Sequence, residues 1–548
     1  MKARYLLAAI VLLAAALRLY RLDVVPPSLY WDEASLGYNA FSIATTLRDE
    51  HGVFLPVSSF AAFGDYKPPG YIYAAVPFVK ILGLTELAVR LPSALAGTLL
   101  VLVTFFLAGE LSFLWQSETR GRPEKLRFWT TGLLGSLLVT ISPWAIQMSR
   151  AAFEANLATL FSTTGAYFFL RAVRLQAILP YTLASIFFSL ALYTFNSHRV
   201  FVPILVLGLT IILFKRLLSQ WRVSFIFYLL CFLLTIPLLP HLISQEGRLR
   251  FQEVTWLNNL DIIEESNRKI AEYGNTPLAN LFFNRRVFYT GEFIKHYTDH
   301  FRPGFLFLSG DINGRLSTRV MGEVYYVEAL LILFGAWFLL RRPAKARALV
   351  FFWLLTAPIP AALARETPHA LRIFNITPMP QILVALGIIS LYAIAHSRLA
   401  RMVVLILVVL GYFWQFPSYL DHYYNVYPRQ FAADWQYGYK ELVEYVASVE
   451  GEYSSIGVTK SLGRPYIYFL FYNRYSPERY WATRKASRDR FGFWTVSGFD
   501  KYDFTGRQTR EGGNLYIQSY REVPQGIHPR KTIVGPDGQL IFTITENI

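Results

Sequence analysis

The chain alternates between long apolar runs and polar loops over most of its length. Eleven runs approach or exceed the length that a helix needs to cross ~30 Å of hydrocarbon. This pattern predicts an α-helical polytopic membrane protein with about 11 spans. The runs lie near residues 5–22, 87–114, 129–147, 155–170, 178–196, 200–214, 223–243, 323–340, 348–364, 372–395 and 401–419.

The first run also has features of a signal peptide, with a basic start, a short apolar stretch and several alanines. Arg18 and Arg21 follow the run at once, and many further spans come after it. We therefore expect an uncleaved first span.

The charges of the loops predict the orientation of the chain. When the spans are threaded alternately, one set of short loops carries seventeen basic residues against two acidic ones. Short loops with this bias lie in the cytoplasm. The pattern predicts a multi-pass protein of the plasma (cytoplasmic) membrane, with the N-terminus inside and the C-terminus outside.

The predicted outer loops are longer and chemically richer than the inner ones. They comprise roughly residues 23–86, 148–154, 197–199, 244–322, 365–371 and everything after 420. Beyond 420 the apolar runs stop, and the pattern predicts helices, short strands and a hairpin that turns at Asp537–Gly538. We expect a transmembrane domain over 1–420 and a small extracytoplasmic α/β domain over 421–548.

Composition narrows the function classes. The 548 residues are 54% hydrophobic and 16% charged, with a net charge of +16. Much of that positive charge is explained by topology, so we expect no nucleic-acid partner. Cys231 is the single cysteine, which excludes a disulfide framework and a cysteine metal site. The sequence predicts no cofactor and leaves a divalent metal open.

Two adjacent carboxylates follow the first span, in the stretch "SLYWDEASLGY". The apolar positions after Trp31 recur at helical spacing, which predicts an amphipathic helix in the membrane interface. Asp32 and Glu33 fall in its first turn, where the helix dipole favours ionised carboxylates. Neighbours on a helix point ~100° apart, so the two cannot face the same atom. The alternative is a polar helix start at the water interface.

A lysine precedes a second predicted helix in the stretch "FGDYKPPGYIY". Pro68 and Pro69 are well placed to open a helix. Lys67, the free N–H groups of that helix and its dipole would together favour a phosphate. The alternative is an interfacial lysine beside a rigid turn.

These residues match the chemistry of sugar transfer from a polyprenyl phosphate. A carboxylate, Asp32 or Glu33, would take the proton of the acceptor. Polar and positive groups at the outer ends of the spans would stabilise the departing phosphate. The candidates are Lys67, Arg150, Arg199, His369 and Arg372. Each alone is typical of an interfacial or ion-paired residue, and Glu154 has the i, i+4 spacing to pair with Arg150.

Four motifs carry a resemblance to a known family: "YWDEASLGYNA", "YKPPGYIY", "RLPSALAGTLL" and "SPWAIQMSRAAFEANLA". In order and spacing they resemble bacterial relatives of protein O-mannosyltransferases, among the C-class multi-span glycosyltransferases that include the lipid A aminoarabinose transferase. The pattern "HFRPGFLFLSGD" is also similar to bacterial members. The resemblance implies a polyprenyl-phosphate sugar donor and a hydroxyl-bearing acceptor.

The resemblance also implies roles for individual residues. Asp32, with Glu33 beside it, corresponds to the acidic residue that activates the acceptor. Lys67 corresponds to the lysine that contacts the lipid phosphate, and Arg150 to the arginine after the third span. The loops that carry Arg199, His369 and Arg372 vary within the family. We expect a single displacement that inverts the anomeric configuration.

Two other classes stay open at this stage. A lipid or sugar transporter would usually show paired half-repeats and broken helices at mid-membrane, which the sequence lacks. An oligosaccharyltransferase-like enzyme would need acidic metal ligands in several outer loops, for which Asp261, Glu264 and Asp311 are available. The sugar, the acceptor and the oligomeric state are not predicted.

Overall fold

The chain is described from a computed structural model, which covers residues 2–114, 124–489, 492–506, 513–523 and 528–547. Helices dominate, and their bounds follow the apolar runs. The α-helices are α1 Lys2–Leu19, α2 Trp31–Thr46, α3 Gly70–Leu82, α4 Glu86–Leu114, α5 Glu124–Ile141, α6 Pro143–Arg150, α7 Glu154–Leu175, α8 Ile178–Leu192, α9 His198–Ser219, α10 Trp221–Thr235, α11 Leu239–Ile243, α12 Gln245–Val254, α13 Asp261–Glu272, α14 Pro277–Phe282, α15 Arg285–Asp299, α16 Tyr326–Leu340, α17 Ala344–Thr356, α18 Ile359–Ala362, α19 Met379–Ile394, α20 Arg398–Asp421, α21 Tyr427–Gln430, α22 Tyr439–Val449, α23 Pro465–Tyr472 and α24 Pro477–Thr483.

A helix lies on each of the eleven predicted runs: α1, α4, α5, α7, α8, α9, α10, α16, α17, α19 and α20. Within the described ranges, five helical segments are long and apolar enough to cross a membrane. The bent pair Phe128–Ile141 and Pro143–Arg150 can be counted as a sixth. The remaining helices are shorter or carry more charge. This architecture confirms the predicted polytopic membrane fold.

The first outer loop folds into two short strands and two helices. Helix α2 begins with a capping box in which the Glu33 carboxylate accepts from the backbone N–H of Tyr30. Its C-cap is Leu47, which adopts a left-handed conformation with φ 60°. Strands β1 (Phe60–Ala62) and β2 (Asp65–Lys67) form an antiparallel hairpin that leads into α3.

Helix α2 is more enclosed than a helix on a membrane surface. A Cβ added at Gly37 would lie 2.5 Å from Val89 Cγ2 and 2.6 Å from a ring carbon of Phe471. Real Cβ atoms do not approach this closely, so α2, α4 and α23 meet where only glycine fits. The Tyr38 hydroxyl also donates to the Tyr475 carbonyl, 3.1 Å away. The start of the chain and its C-terminal region therefore form one packed unit around α2.

The C-terminal region carries a seven-stranded sheet in the order β4-β5-β6-β3-β7-β9-β8. Strand β3 is parallel to β6 and β7, and the other pairs are antiparallel. The predicted helix over 439–449, the strands at 455 and 514 and the hairpin at Gly538 are all present. The domain boundary at 420 stays a prediction. The strands are β3 Ser455–Val458, β4 Lys485–Arg488, β5 Trp494–Phe499, β6 Tyr502–Asp503, β7 Asn514–Ser519, β8 Lys531–Val534 and β9 Leu540–Asn547.

Candidate active site

A cavity of about 690 Å³, here called the central cavity, lies where the first outer loop meets the predicted outer ends of the spans. Its walls come from the start of α2, strand β2, the start of α7, the start of α9, helix α12 and the loop before α19. Apolar side chains such as Leu242, Phe251 and Leu363 line part of the wall, and charged groups line the rest. A site that is partly apolar with a few converging polar groups is the usual form of a small-molecule pocket.

Asp32 and Lys67 meet in this cavity. Lys67 Nζ lies 2.6 Å from Asp32 Oδ1. The lysine side chain is 4% exposed, whereas that of Asp32 is 42% exposed. Strand β2 ends at Lys67, and the prolines that follow fix the direction of the chain into α3. The structure thus brings together the two predicted groups with the best sequence support and leaves the Asp32 carboxylate accessible.

Glu33 also lines the central cavity, but its carboxylate is bound by groups inside the protein and not by Lys67. Its carboxylate accepts from Arg90 Nε at 3.0 Å, from Arg90 Nη2 at 3.2 Å and from the Ala152 N–H at 2.8 Å. Arg90 also donates to the carbonyls of Leu22, Pro26 and Ser28. Glu33 is 3% exposed and Arg90 is fully buried. This network fixes the start of α2, and it leaves Glu33 few lone pairs for substrate.

Glu154 lines the same cavity at the start of α7, just before the predicted span over 155–170. Burial raises the pKa of the Glu154 carboxyl to about 7, although Lys67 acts in the opposite direction. Asp32 adds a further increase by charge repulsion. The sequence pattern favoured an ion pair between Glu154 and Arg150. The structure instead places Glu154 beside the Asp32–Lys67 pair.

The acidic groups around Lys67 favour its charged form. Burial by itself would lower the pKa of the Lys67 ammonium. The carboxylates of Asp32, Glu154 and Asp65 outweigh burial and raise that pKa above its ordinary value. An ammonium has three donors, so Lys67 can hold Asp32 and still donate into the cavity.

Arg199, His369 and Arg372, the other predicted phosphate-binding residues, all line the central cavity. The Arg199 guanidinium donates to the carbonyls of Leu192 and Ser58 at 3.2 and 3.4 Å. Burial, together with the nearby charges of Arg372 and Arg315, lowers the pKa of His369 well below its ordinary value. His369 is therefore neutral at pH 7, and it offers a hydrogen bond rather than the positive charge expected of a phosphate ligand.

Arg150 lies outside the lining of the central cavity. Its guanidinium is fully buried and donates to the carbonyls of Leu17, Tyr20, Arg21 and Val25 at 2.7 to 3.2 Å. It also sits over the rings of Tyr423 and Tyr424, at 5.5 and 5.2 Å. The predicted contact of Arg150 with a donor phosphate stays a prediction, and in this structure its Nη1 and Nη2 groups are bound by carbonyls of α1 and of the loop that follows.

Three residues of the site were not predicted from the sequence as site residues: Arg90, Glu154 and Arg315. Arg90 interrupts an apolar run, and a charge in a span is costly unless it is paired. The sequence therefore marks Arg90 as unusual, but local spacing could not predict that Glu33 is its partner. Arg315 comes from a loop with no clear periodicity, and its guanidinium carbon lies 3.5 Å from the centre of the Tyr30 ring.

The acidic residues that the sequence makes available as metal ligands do not form a metal-binding group among the described residues. Asp311 is buried, and its carboxylate accepts from the backbone N–H groups of Asn313 and Ala370 at 2.8 and 2.7 Å. Asp261 and Glu264 lie in the first turn of α13. Within the described ranges, no group of three or more His, Cys, Asp or Glu side chains could hold a metal ion.

Comparison with known proteins finds a partial match to a family model and a similar fold. The family model described as dolichyl-phosphate-mannose-protein mannosyltransferase matches residues 8–245. A sequence comparison with curated proteins finds no match. The matched range contains Asp32, Glu33, Lys67, Glu154 and Arg199.

Solved structures resemble the whole chain. ArnT from Cupriavidus metallidurans in the apo state has a TM-score of 0.52 and 11% identity, over 99% of this chain and 97% of that chain. The same ArnT bound to undecaprenyl phosphate has a TM-score of 0.49 and 10% identity, over 99% of this chain and 98% of that one.

The apo oligosaccharyltransferase of Archaeoglobus fulgidus has a TM-score of 0.49 and 12% identity, over 86% of this chain. This chain spans 63% of the length of that archaeal protein. The family match and the fold shared with ArnT confirm the predicted resemblance: the chain is similar to the dolichyl-phosphate-mannose-protein mannosyltransferases over residues 8–245, and it has the fold of a multi-span membrane glycosyltransferase.

Proposed function

We propose that this protein is an integral-membrane glycosyltransferase, which moves a sugar from a polyprenyl-phosphate donor to a hydroxyl acceptor. The observation that carries the proposal is the Asp32–Lys67 pair in the central cavity, with Arg199 and Arg372 on the same walls. The name of the matching family supports this donor class. The ArnT complex with undecaprenyl phosphate is consistent with it.

The reaction follows from the placement of these groups. The oxygen of the acceptor attacks the anomeric carbon while the bond from that carbon to the phosphate oxygen breaks. Asp32 takes the acceptor proton as charge develops. Lys67, Arg199 and Arg372 stabilise the departing phosphate, and His369 donates a hydrogen bond to it. A single displacement of this kind inverts the anomeric configuration.

Two predicted roles change in this proposal. Glu33 becomes a positioning residue, since its carboxylate is bound by Arg90 and by the Ala152 N–H. Arg150 becomes a structural residue of the loop after α1. Glu154 joins the site as a group that favours the charged form of Lys67.

We place the enzyme in the plasma membrane with the N-terminus in the cytoplasm and residues 421–548 outside. The positive bias of the inner loops supports this orientation. Residues 1–420 would then hold the donor, and the region after 420 would cover the site from the aqueous side. Leu242 and Phe251 are apolar residues of the cavity wall, and a polyprenyl chain would pack against such residues.

A sugar-transfer assay tests the proposed function. Purified protein is incubated with a panel of polyprenyl-phosphate sugars, and the release of polyprenyl phosphate is followed. We expect release with at least one donor, and a loss of about 10²–10⁴-fold in Asp32→Asn, the usual range for a general base. Asp23→Asn is the matched control, because Asp23 is exposed and lies outside the cavity. Full activity in Asp32→Asn would disprove the assigned role.

A further inference from the structure

A second cavity of about 800 Å³, here called the side cavity, opens next to the central one. Its walls come from the start of α2, the loops around residues 313 and 366, and the C-terminal region near residues 434 and 462. Nothing in the proposed donor chemistry uses this space. Its position between the outer loops and the C-terminal region gives it an opening on the aqueous side.

The two cavities share one wall. Tyr30, Asn313, Arg315, Glu366 and His369 line both of them. The Arg315 guanidinium lies over the Tyr30 ring and separates the two spaces. On α2, Trp31 lines the side cavity, and the next residue, Asp32, lines the central cavity. A group bound in the side cavity would therefore contact Trp31, the residue next to Asp32 on α2.

The lining of the side cavity is polar and nearly balanced in charge. In the described part of the chain it contains three carboxylates (Asp311, Glu366 and Asp434) and two guanidinium groups (Arg315 and Arg365). An acceptor rich in phosphate would need an excess of positive charge. A lipid chain would need an apolar wall. The aromatic rings of Tyr30 and Trp31, with the carboxylates of Glu366 and Asp434 as acceptors, suit a neutral molecule with many hydroxyls.

Three main-chain groups of this wall, at Leu462, Gly463 and Arg315, are already hydrogen-bonded. The Leu462 carbonyl accepts from Gln436 Nε2 at 3.1 Å and from the Tyr439 hydroxyl at 3.0 Å. The Gly463 N–H donates to the Lys460 carbonyl, and the Arg315 N–H donates to Asn313 Oδ1. An extended peptide gains affinity by pairing with free backbone groups. This wall instead offers side chains, which favours a saccharide over a polypeptide.

We propose that the side cavity is the acceptor site and that the acceptor is a neutral saccharide, whose hydroxyl reaches Asp32 past the Tyr30–Arg315 wall. This rests on the proposed function and narrows its acceptor. The acceptor oxygen forms the new bond to the anomeric carbon, the bond to the lipid phosphate breaks, and the hydroxyl proton passes to Asp32. No further reactant is needed.

Binding measurements on variants test the side cavity separately from the central cavity. Ala433 is exposed and lines the side cavity, so Ala433→Trp fills it. Ala447→Trp is the matched control, on an exposed position of α22 outside both cavities. Asp434→Ala is a second, milder variant. Titration calorimetry of the full chain in detergent uses mannobiose, cellobiose and chitobiose as neutral probes, a Ser/Thr-containing decapeptide, and polyprenyl phosphate.

We expect at least one disaccharide to bind the wild type and Ala447→Trp, and to bind Ala433→Trp at least 10-fold more weakly. Asp434→Ala should weaken the same binding, and polyprenyl phosphate should bind all variants equally. The proposal is overturned if no disaccharide binds, if Ala433→Trp binds it normally, or if only the decapeptide binds and loses affinity in Ala433→Trp. Failure to bind or release polyprenyl phosphate would overturn the proposed function, while the saccharide result would stand separately.

Discussion

Lys67 Nζ lies 2.6 Å from Asp32 Oδ1, and this contact joins the end of strand β2 to the first turn of helix α2. The two residues are 35 positions apart in the chain. The lysine is buried and the carboxylate is open to the cavity, so the pair has one fixed and one accessible partner. This asymmetry suits a lysine that orients a carboxylate toward an incoming hydroxyl.

Lys67→Gln should therefore disable Asp32 as well as weaken phosphate binding. We expect both Asp32→Asn and Lys67→Gln to lower kcat for sugar transfer by at least 10²-fold. The double variant should be no more than a few-fold worse than the worse single variant, because residues that act as a unit are not additive. Initial rates of polyprenyl phosphate release measure all three. Multiplicative losses in the double variant would show that the residues act independently.

Glu33→Gln should act on stability rather than on chemistry. The change leaves Arg90 buried without its carboxylate, and breaking a buried pair costs about 3–5 kcal/mol. The measurement is thermal unfolding in detergent, followed by fluorescence. Glu86→Gln is the control on the same helix as Arg90, since its partner Lys440 is 54% exposed and surface pairs contribute about 0–1 kcal/mol. An unchanged melting temperature in Glu33→Gln together with lost transfer would return Glu33 to a catalytic role.

The sequence predicted the elements that depend on local pattern. Helices such as α4 and α7 follow from apolar runs, and α22 follows from its 3.6-residue period. Asp32 and Lys67 were identified because charges beside a membrane are costly without a purpose. Strands β4, β5 and β6 were missed: β6 has only two residues, and β4 is an edge strand with two charged residues and little apolar alternation.

The partners of buried charges could not be predicted, because they are set by packing between distant segments. Glu33 is bound by Arg90, which is 57 residues away, and Arg150 binds carbonyls 125 to 133 residues away. Helical spacing suggested Glu154 as the partner of Arg150 instead. Each side chain lay near the expected end of its helix, and only the three-dimensional packing decided which one faced the cavity.

Glu154 should impose a pH dependence on transfer. Its pKa is raised to about 7, so the carboxylate fraction grows between pH 6 and 8. An ionised Glu154 strengthens the negative field around Asp32, and we expect kcat/KM to rise over this range. Glu154→Gln should flatten the rise. Glu444→Gln, on an exposed position of α22, is the control and should keep it.

The same raised pKa has a consequence for stability. Protonated Glu154 is favoured by folding, so this contribution is fully present below the ordinary carboxyl pKa of 4.5 and is lost as pH rises through about 7. The melting temperature of the wild type should therefore fall relative to that of Glu154→Gln between pH 5 and 8. A constant difference between the two proteins across this range would contradict the shift.

Arg150→Gln and Arg199→Gln should separate a structural arginine from a substrate-binding one. Arg150 donates to one carbonyl near the end of α1 and to three of the loop that follows, and a charged hydrogen bond contributes about 1.5–3 kcal/mol. Its loss should lower the melting temperature and leave the affinity for polyprenyl phosphate unchanged in the folded fraction. Arg199 lines the central cavity, so Arg199→Gln should weaken that affinity about 10-fold, the effect of losing ~1.4 kcal/mol. Calorimetric titration with polyprenyl phosphate measures both variants. If Arg150→Gln keeps its melting temperature and loses affinity, Arg150 belongs to the phosphate site after all.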